Sequence, residues 1–229
     1  MSAVAEDVTQ RLGINIRDRD EEEAASTSGR PEPRAHLTME LVPPFVVPQL
    51  QSLCHTMVAG GNTSCIKIYV EIRSNALSQS LKGLGLDRIS KEEAHKLSWE
   101  GLETRIGRWI TYLHGTVSIL TAELKLAKAV LPAEEVGKAF AGVIAETVNT
   151  LVSVGETMVR SKKTPEKVFA LLDMMGHFEH SLPHLASMLQ DEACAHMNHQ
   201  LKDLMEHLAV ASRETFYEFE DAVSHDAVK

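Results

Sequence analysis

The residues with the greatest chemical capacity in this sequence are His177, His180 and His184, in the stretch "MMGHFEHSLPH". Steps of three and four let a single helix present all three imidazoles on one side, where they could converge on zinc or copper. Cys194, His196 and His199 follow closely and could add thiolate and imidazole ligands. Against this, no HExxH pair occurs. The Glu-x-x-His unit formed by Glu92 and His95 stands alone, where a di-metal carboxylate bundle needs two such units and further glutamates. Histidines spread over a polar helix face account for the pattern without an ion, so no metal site is expected. A histidine-based metal-binding helical protein is the alternative reading.

A second candidate is "RSKKTPEKVFALLDM", residues 160–174, in which Arg160, Lys162, Lys163 and Lys167 form a basic cluster that could hold a phosphate or a lipid headgroup. A local role competes with that one, because positive charge near a helix C-terminus complements its exposed carbonyls. Thr164 is a good N-cap and Pro165 suits a first helical position, so a helix is expected to start there, with Val168, Leu171, Leu172, Met175, Leu182 and Leu185 as its buried stripe. Pro183 is expected to kink that helix or end it early.

Nucleotide and acyl-transfer chemistries lack their motifs. "AGGNTSCIK" has no Gly-Lys-Ser/Thr ending to bring a lysine and a hydroxyl to phosphates, and there is no GxSxG elbow. "LKGLGLD" follows no strand and reads as a helix terminator. The acidic residues of "PAEEV" and "DEACA" sit where helix starts favour them and make no acid/base pair. Met174, Met175, Met188, Met197 and Met205 fall near helical core positions, where methionine fills gaps. The expectation is therefore a non-enzyme with no catalytic or cofactor-binding residues and no cofactor.

Composition narrows the partners. The chain has 229 residues and a net charge of -9, which argues against nucleic acid, since a backbone-binding protein needs surplus Lys and Arg. Cys54, Cys65 and Cys194 are odd in number and lack CxxC spacing, so a reducing, cytoplasmic setting fits best. The start "MSAVAEDVTQ" is acidic where a secretory signal is basic and then apolar. No apolar run approaches the ~18 residues of a membrane span. Asn62-Thr63-Ser64 matches a glycosylation acceptor but reads as a helix start.

The elements that must position these residues are helices. Residues 1–36, with "RDRDEEEAASTSGRPEPR", carry too little apolar surface to offset ordering and are expected to form a disordered acidic tail. From Leu37 the apolar residues recur at helical spacing. A helix is expected over Pro48 to Ala59, stopped by Gly60-Gly61, and the next is capped by Asn62 or Thr63. Ser90 and Glu93 form a capping box. Long amphipathic helices follow: one carrying Leu102 to Ala127 and closed by Pro132, one from Glu134 to about Val159, and a final one running almost to Lys229. Short links imply antiparallel neighbours, hence an all-α fold of consecutive helical hairpins or bundles.

Four blocks in order carry a resemblance. They are "LVPPFVVPQLQSLCHTMVAGGNTSCIKIYVEIRSNALSQSLKGLGLDRIS", with Tyr69 and Arg73, then "LSWEGLETRIGRWI", "RSKKTPEKVFALLDM" and "ETFYEFEDAVSHDA". From about residue 38 to its end the chain resembles the seventy-kilodalton subunit of the exocyst vesicle-tethering complex, in its plant-type branch. The resemblance implies part of an elongated rod of helical bundles, a non-catalytic scaffold supporting exocytosis through contacts with other exocyst subunits or regulatory proteins. It implies a cytoplasmic chain, peripheral at the plasma membrane through the complex. Family members continue past the last block, and their strongest phosphoinositide-binding surface lies in that distal part. Residues 37–229 are accordingly expected to match the upstream region and to lack the C-terminal bundles, as a truncated paralogue. A helical interaction or decoy module outside the complex is the alternative. The histidines of "MMGHFEHSLPH" depart from the family's usual pattern, and truncation near Lys229 is expected to uncover Phe216, Phe219 and Val223.

Overall fold

A computed structural model describes residues 41–161, 164 and 166–226. All regular elements among them are helical: α1 (Val47–Ala59), α2 (Ser64–Lys82), α3 (Lys91–Lys96), α4 (Trp99–Val130), α5 (Ala133–Val159), α6 (Lys167–Met188) and α7 (Ala195–Asp226), with a 3-10 turn at Glu192–Cys194. The tail expected at residues 1–36 lies outside the described residues.

Local chemistry sets most boundaries. Pro48 occupies the first turn of α1, and Gly61, at φ 77°, adopts the left-handed conformation that reverses the chain after it. The Asn62 side chain, rather than that of Thr63, then accepts the Ser64 N–H at 3.0 Å and starts α2. The capping box before α3 is complete, since Ser90 Oγ accepts from Glu93 N and Glu93 Oε2 accepts from Ser90 N. Leu131 turns extended ahead of Pro132, which stops α4.

Helices α4 to α7 form a four-helix bundle. Pairings along their lengths give the directions: Trp109 meets Leu151, so α4 and α5 run antiparallel, while Gly137 meets Asp191 and Gly155 meets Leu204, so α5 and α7 run parallel. Phe169 against Phe219 makes α6 and α7 antiparallel. At the centre, the fully buried Trp109 donates its indole N–H to the Leu151 carbonyl at 2.8 Å and packs edge-on against Phe178 at 5.6 Å. Room for this indole depends on Gly155, where a Cβ would lie 3.2 Å from Trp109 Nε1 and 2.9 Å from Leu204 Cδ2.

The α1–α2 hairpin lies across α4 and α5. Val70 fits against Gly142, and Cys54, Cys65 and Ile66 share a small core with Leu126, Val130 and Ala139. An ion pair also binds the hairpin to the bundle: Arg73 reaches Glu123, which is only 1% exposed.

Three expectations about α6 are corrected. The helix starts at Lys167 rather than directly after a Thr164 cap, and the Lys167 N–H closes a turn onto the Thr164 carbonyl; Pro165 lies outside the described residues. Pro183 does not end it early, since α6 continues to Met188; Pro183 is exposed while Leu185 and Leu189 beyond it are buried. Leu172 is exposed, and the inner stripe is Val168, Leu171, Met174, Phe178, Ser181 and Leu185.

Candidate functional site

The candidate basic residues do not form one surface. Lys162 and Lys163 lie outside the described residues. Arg160 is half exposed at the end of α5 and pairs with Glu156 at 2.7 Å, a carboxylate that also meets His207 Nδ1 at 2.6 Å. Lys167 is wholly buried, and its ammonium donates to the carbonyl oxygens of Val159 at 3.0 Å and Ser161 at 2.9 Å. The first residue of α6 thus satisfies the last carbonyls of α5, which have no intrahelical donor of their own. That burial removes Lys167 from any surface a phosphate could touch. The sequence did place positive charge at this helix end, but assigned the contact to residues nearer in the chain.

The histidines separate in a similar way. His177 Nδ1 lies 3.1 Å from His114 Nε2 on α4, a partner that spacing within one helix could not reveal. Burial, then His177 and His180, push the His114 imidazole below its usual value. His177 also approaches Asp173 at 3.6 Å. His180 and His184 are exposed, with ring centres 6.4 Å apart. Cys194 is buried and its thiol is pushed up to about 11, mainly by burial. His196 and His199 are exposed on α7, where His199 meets Asp203 at 3.4 Å, and Glu92 and His95 are exposed on α3. Among the described residues no group of three His, Cys, Asp or Glu side chains could hold a metal ion.

One groove, between α2, α4 and α5, is occupied by the chain's own polar groups. Arg88 donates to Glu146 and to Thr150, both at 2.8 Å, and burial, offset in part by Thr147 and Thr150, pushes the Tyr112 phenol up to about 12. A tyrosine in that state is a packed neutral group.

Exposed apolar side chains are the more distinctive surface feature. Phe169 and Leu172 of α6 lie with Phe216, Tyr217 and Val223 of α7 among the exposed large hydrophobics, and Phe219 is half buried where it packs edge-on against Phe169 at 6.3 Å. The sequence pointed to Phe216, Phe219 and Val223, but Phe169 was missed. A second exposed set comprises Phe45, Leu53, Ile68 and Ile72 on and beside the α1–α2 hairpin. Large apolar groups grouped on a surface characterise places where proteins meet other proteins. No described helix is long and apolar enough to cross a membrane.

A family profile for the C-terminal part of Exo70, a component of the exocyst complex, matches residues 108–229, over half of the chain. The chain belongs to the Exo70 family. Exocyst complex component EXO70A1 of Arabidopsis thaliana is 35% identical over 202 residues, which cover 86% of this chain and 32% of that protein. EXO70A3 of the same plant is 32% identical over 193 residues, covering 82% and 33%, respectively. Exocyst complex component EXO70I of Medicago truncatula is 27% identical over 192 residues, covering 80% and 27%. The chain therefore spans about a third of the length of the curated Exo70 relatives it matches. Two of the blocks that carried the resemblance, "RSKKTPEKVFALLDM" and "ETFYEFEDAVSHDA", fall within the matched C-terminal profile. They build the start of α6 and the end of α7, which carry the exposed Phe169, Leu172, Phe216, Tyr217 and Val223.

Proposed function

We propose that this chain is a non-catalytic component of the exocyst vesicle-tethering complex, or a truncated paralogue of one, and supports exocytosis by protein–protein contact. Its Exo70 family membership carries the reading, and the exposed apolar set of α6 and α7 supplies a means. The partners are other exocyst subunits or their regulators, the setting is the cytoplasm, and contact with the plasma membrane is peripheral and made through the complex.

Co-precipitation from secreting plant cells tests this reading. The tagged chain is expected to recover other exocyst subunits, and a Leu172→Glu, Phe216→Glu double variant of equal thermal stability to recover far less. A folded chain that brings down no other exocyst component would refute membership of the complex. Recovery of a regulatory protein without any exocyst component would instead favour the decoy module.

A further inference from the structure

Cys54 on α1 and Cys65 on α2 face each other inside the small core that joins the hairpin to α4 and α5. Both side chains are nearly buried, at 7% and 8% exposure. The Cys65 thiol lies 3.9 Å from the Cys54 carbonyl oxygen and 3.8 Å from that of Asn62. The Cys54 thiol is pushed above its usual value by burial and then by the neighbouring Cys65. The third cysteine, Cys194, lies elsewhere, in the bundle core before α7. The hairpin turn at Gly60-Gly61 is what brings residues eleven apart in sequence face to face.

We propose that Cys54 and Cys65 are a reversible oxidation site that closes to an intramolecular disulfide in the presence of a peroxide. The chemistry balances with hydrogen peroxide as the two-electron oxidant. One thiolate attacks a peroxide oxygen, the O–O bond breaks, and a sulfenic acid forms with loss of hydroxide, which leaves as water once protonated. The second sulfur attacks that sulfenic sulfur, the S–S bond forms, and a second water departs. In sum, two thiols and one peroxide give one disulfide and two waters, and a dithiol reductant reverses the change.

Burial decides the character of the site. With both sulfurs buried, peroxide reaches them only through local opening of the hairpin, so the reaction is slow. It is also selective, because the resolving sulfur is already in place and captures the sulfenic acid before further oxidation. Closure ties α1 to α2 and fixes the relation of Phe45 and Leu53 to Ile68 and Ile72, the apolar set on that side of the molecule. The proposal is independent of which partner meets that set.

The test uses the whole chain, reduced, freed of reductant and treated with hydrogen peroxide. Trypsin releases residues 35–67 as one peptide that contains both cysteines and excludes Cys194. After alkylation under denaturing conditions, the expected product is this peptide lacking both alkyl groups and two hydrogens, with Cys194 still alkylated. Dithiothreitol should restore double alkylation. A peptide that stays doubly alkylated overturns the proposal, as does one that gains two or three oxygens on a single cysteine, or one that links to another chain. Cys54→Ser and Cys65→Ser variants should each retain one alkylatable thiol in this peptide, and either variant forming an equally fast link to Cys194 would also overturn it.

Discussion

The ammonium of Lys167 lies 2.9 Å from the carbonyl oxygen of Ser161. It belongs to the helix that follows, yet it satisfies the end of the helix that precedes, and it does so without solvent. Lys167→Met keeps the length and volume of the side chain while leaving the Val159 and Ser161 carbonyls without this donor. The expected loss is about 1–3 kcal/mol of unfolding free energy, read from urea denaturation. An unchanged midpoint would show that the lysine is not needed at the α5–α6 corner.

Glu123 and Arg73 predict a pH dependence of defined sign. Burial raises the Glu123 carboxyl above its ordinary value of 4.5, and Arg73 opposes that rise. A folded-state pKa above the unfolded one gives stability that is present below the unfolded value and is lost as pH rises through the folded one. Arg73→Met removes the opposing charge, so the decline with rising pH should become steeper and extend further toward neutrality. At pH 7 the variant should lose about 3–5 kcal/mol, the cost of leaving one member of a buried pair. Denaturation at a series of pH values above 4 measures both effects.

His114 predicts the opposite slope. Its folded-state pKa lies below the ordinary 6.5, chiefly through burial and then through His177 and His180 on the facing helix. The neutral form is favoured by folding, so the contribution is complete above the unfolded value and falls away as pH drops through the window beneath it. The melting temperature of the wild-type chain relative to that of His114→Gln should fall between pH 7 and pH 5.

Glycines in the helices separate by sign. Gly155→Val places new methyl groups against Leu204 and Trp109 and should destabilise by about 1–3 kcal/mol through overpacking. Gly107→Ala and Gly176→Ala meet nothing within 4 Å, and each should stabilise by up to about 1 kcal/mol because alanine is the better helix former. Thermal melts of the three variants decide the point. A neutral Gly155→Val would mean that the α4–α5–α7 junction relaxes freely.

Periodicity made the helices legible because each must bury one stripe, and Leu102, Ile106, Trp109, Ile110 and Leu113 were all placed inward by it. Ends marked by a proline, a glycine or a capping box were legible for the same local reason. Contacts between helices were not. Leu172 fits a 3.6-residue stripe as well as Met174 does, and only the position of α7 decides which turns in. The His114–His177 pair joins residues 63 apart, and Lys167 reaches back past a corner, so neither has a sequence period. Pro183 does not end α6 because its missing N–H matters less on an exposed face than within a packed one. Exposed Phe216 and Val223 were legible as apolar residues late in the last helix, whereas Phe169 required knowing that α6 lies beside that end of α7.

Trp109 and Trp99 differ in environment, the first wholly enclosed beside Phe178 and the second half buried at the start of the same helix. Their emission will therefore be unequal, with a blue component from the enclosed indole that shifts to longer wavelength when water reaches it. A Trp99→Phe variant leaves a single tryptophan, at the junction of α4, α5 and α6. The chain carries its own optical gauge of whether that junction stays shut when a partner docks.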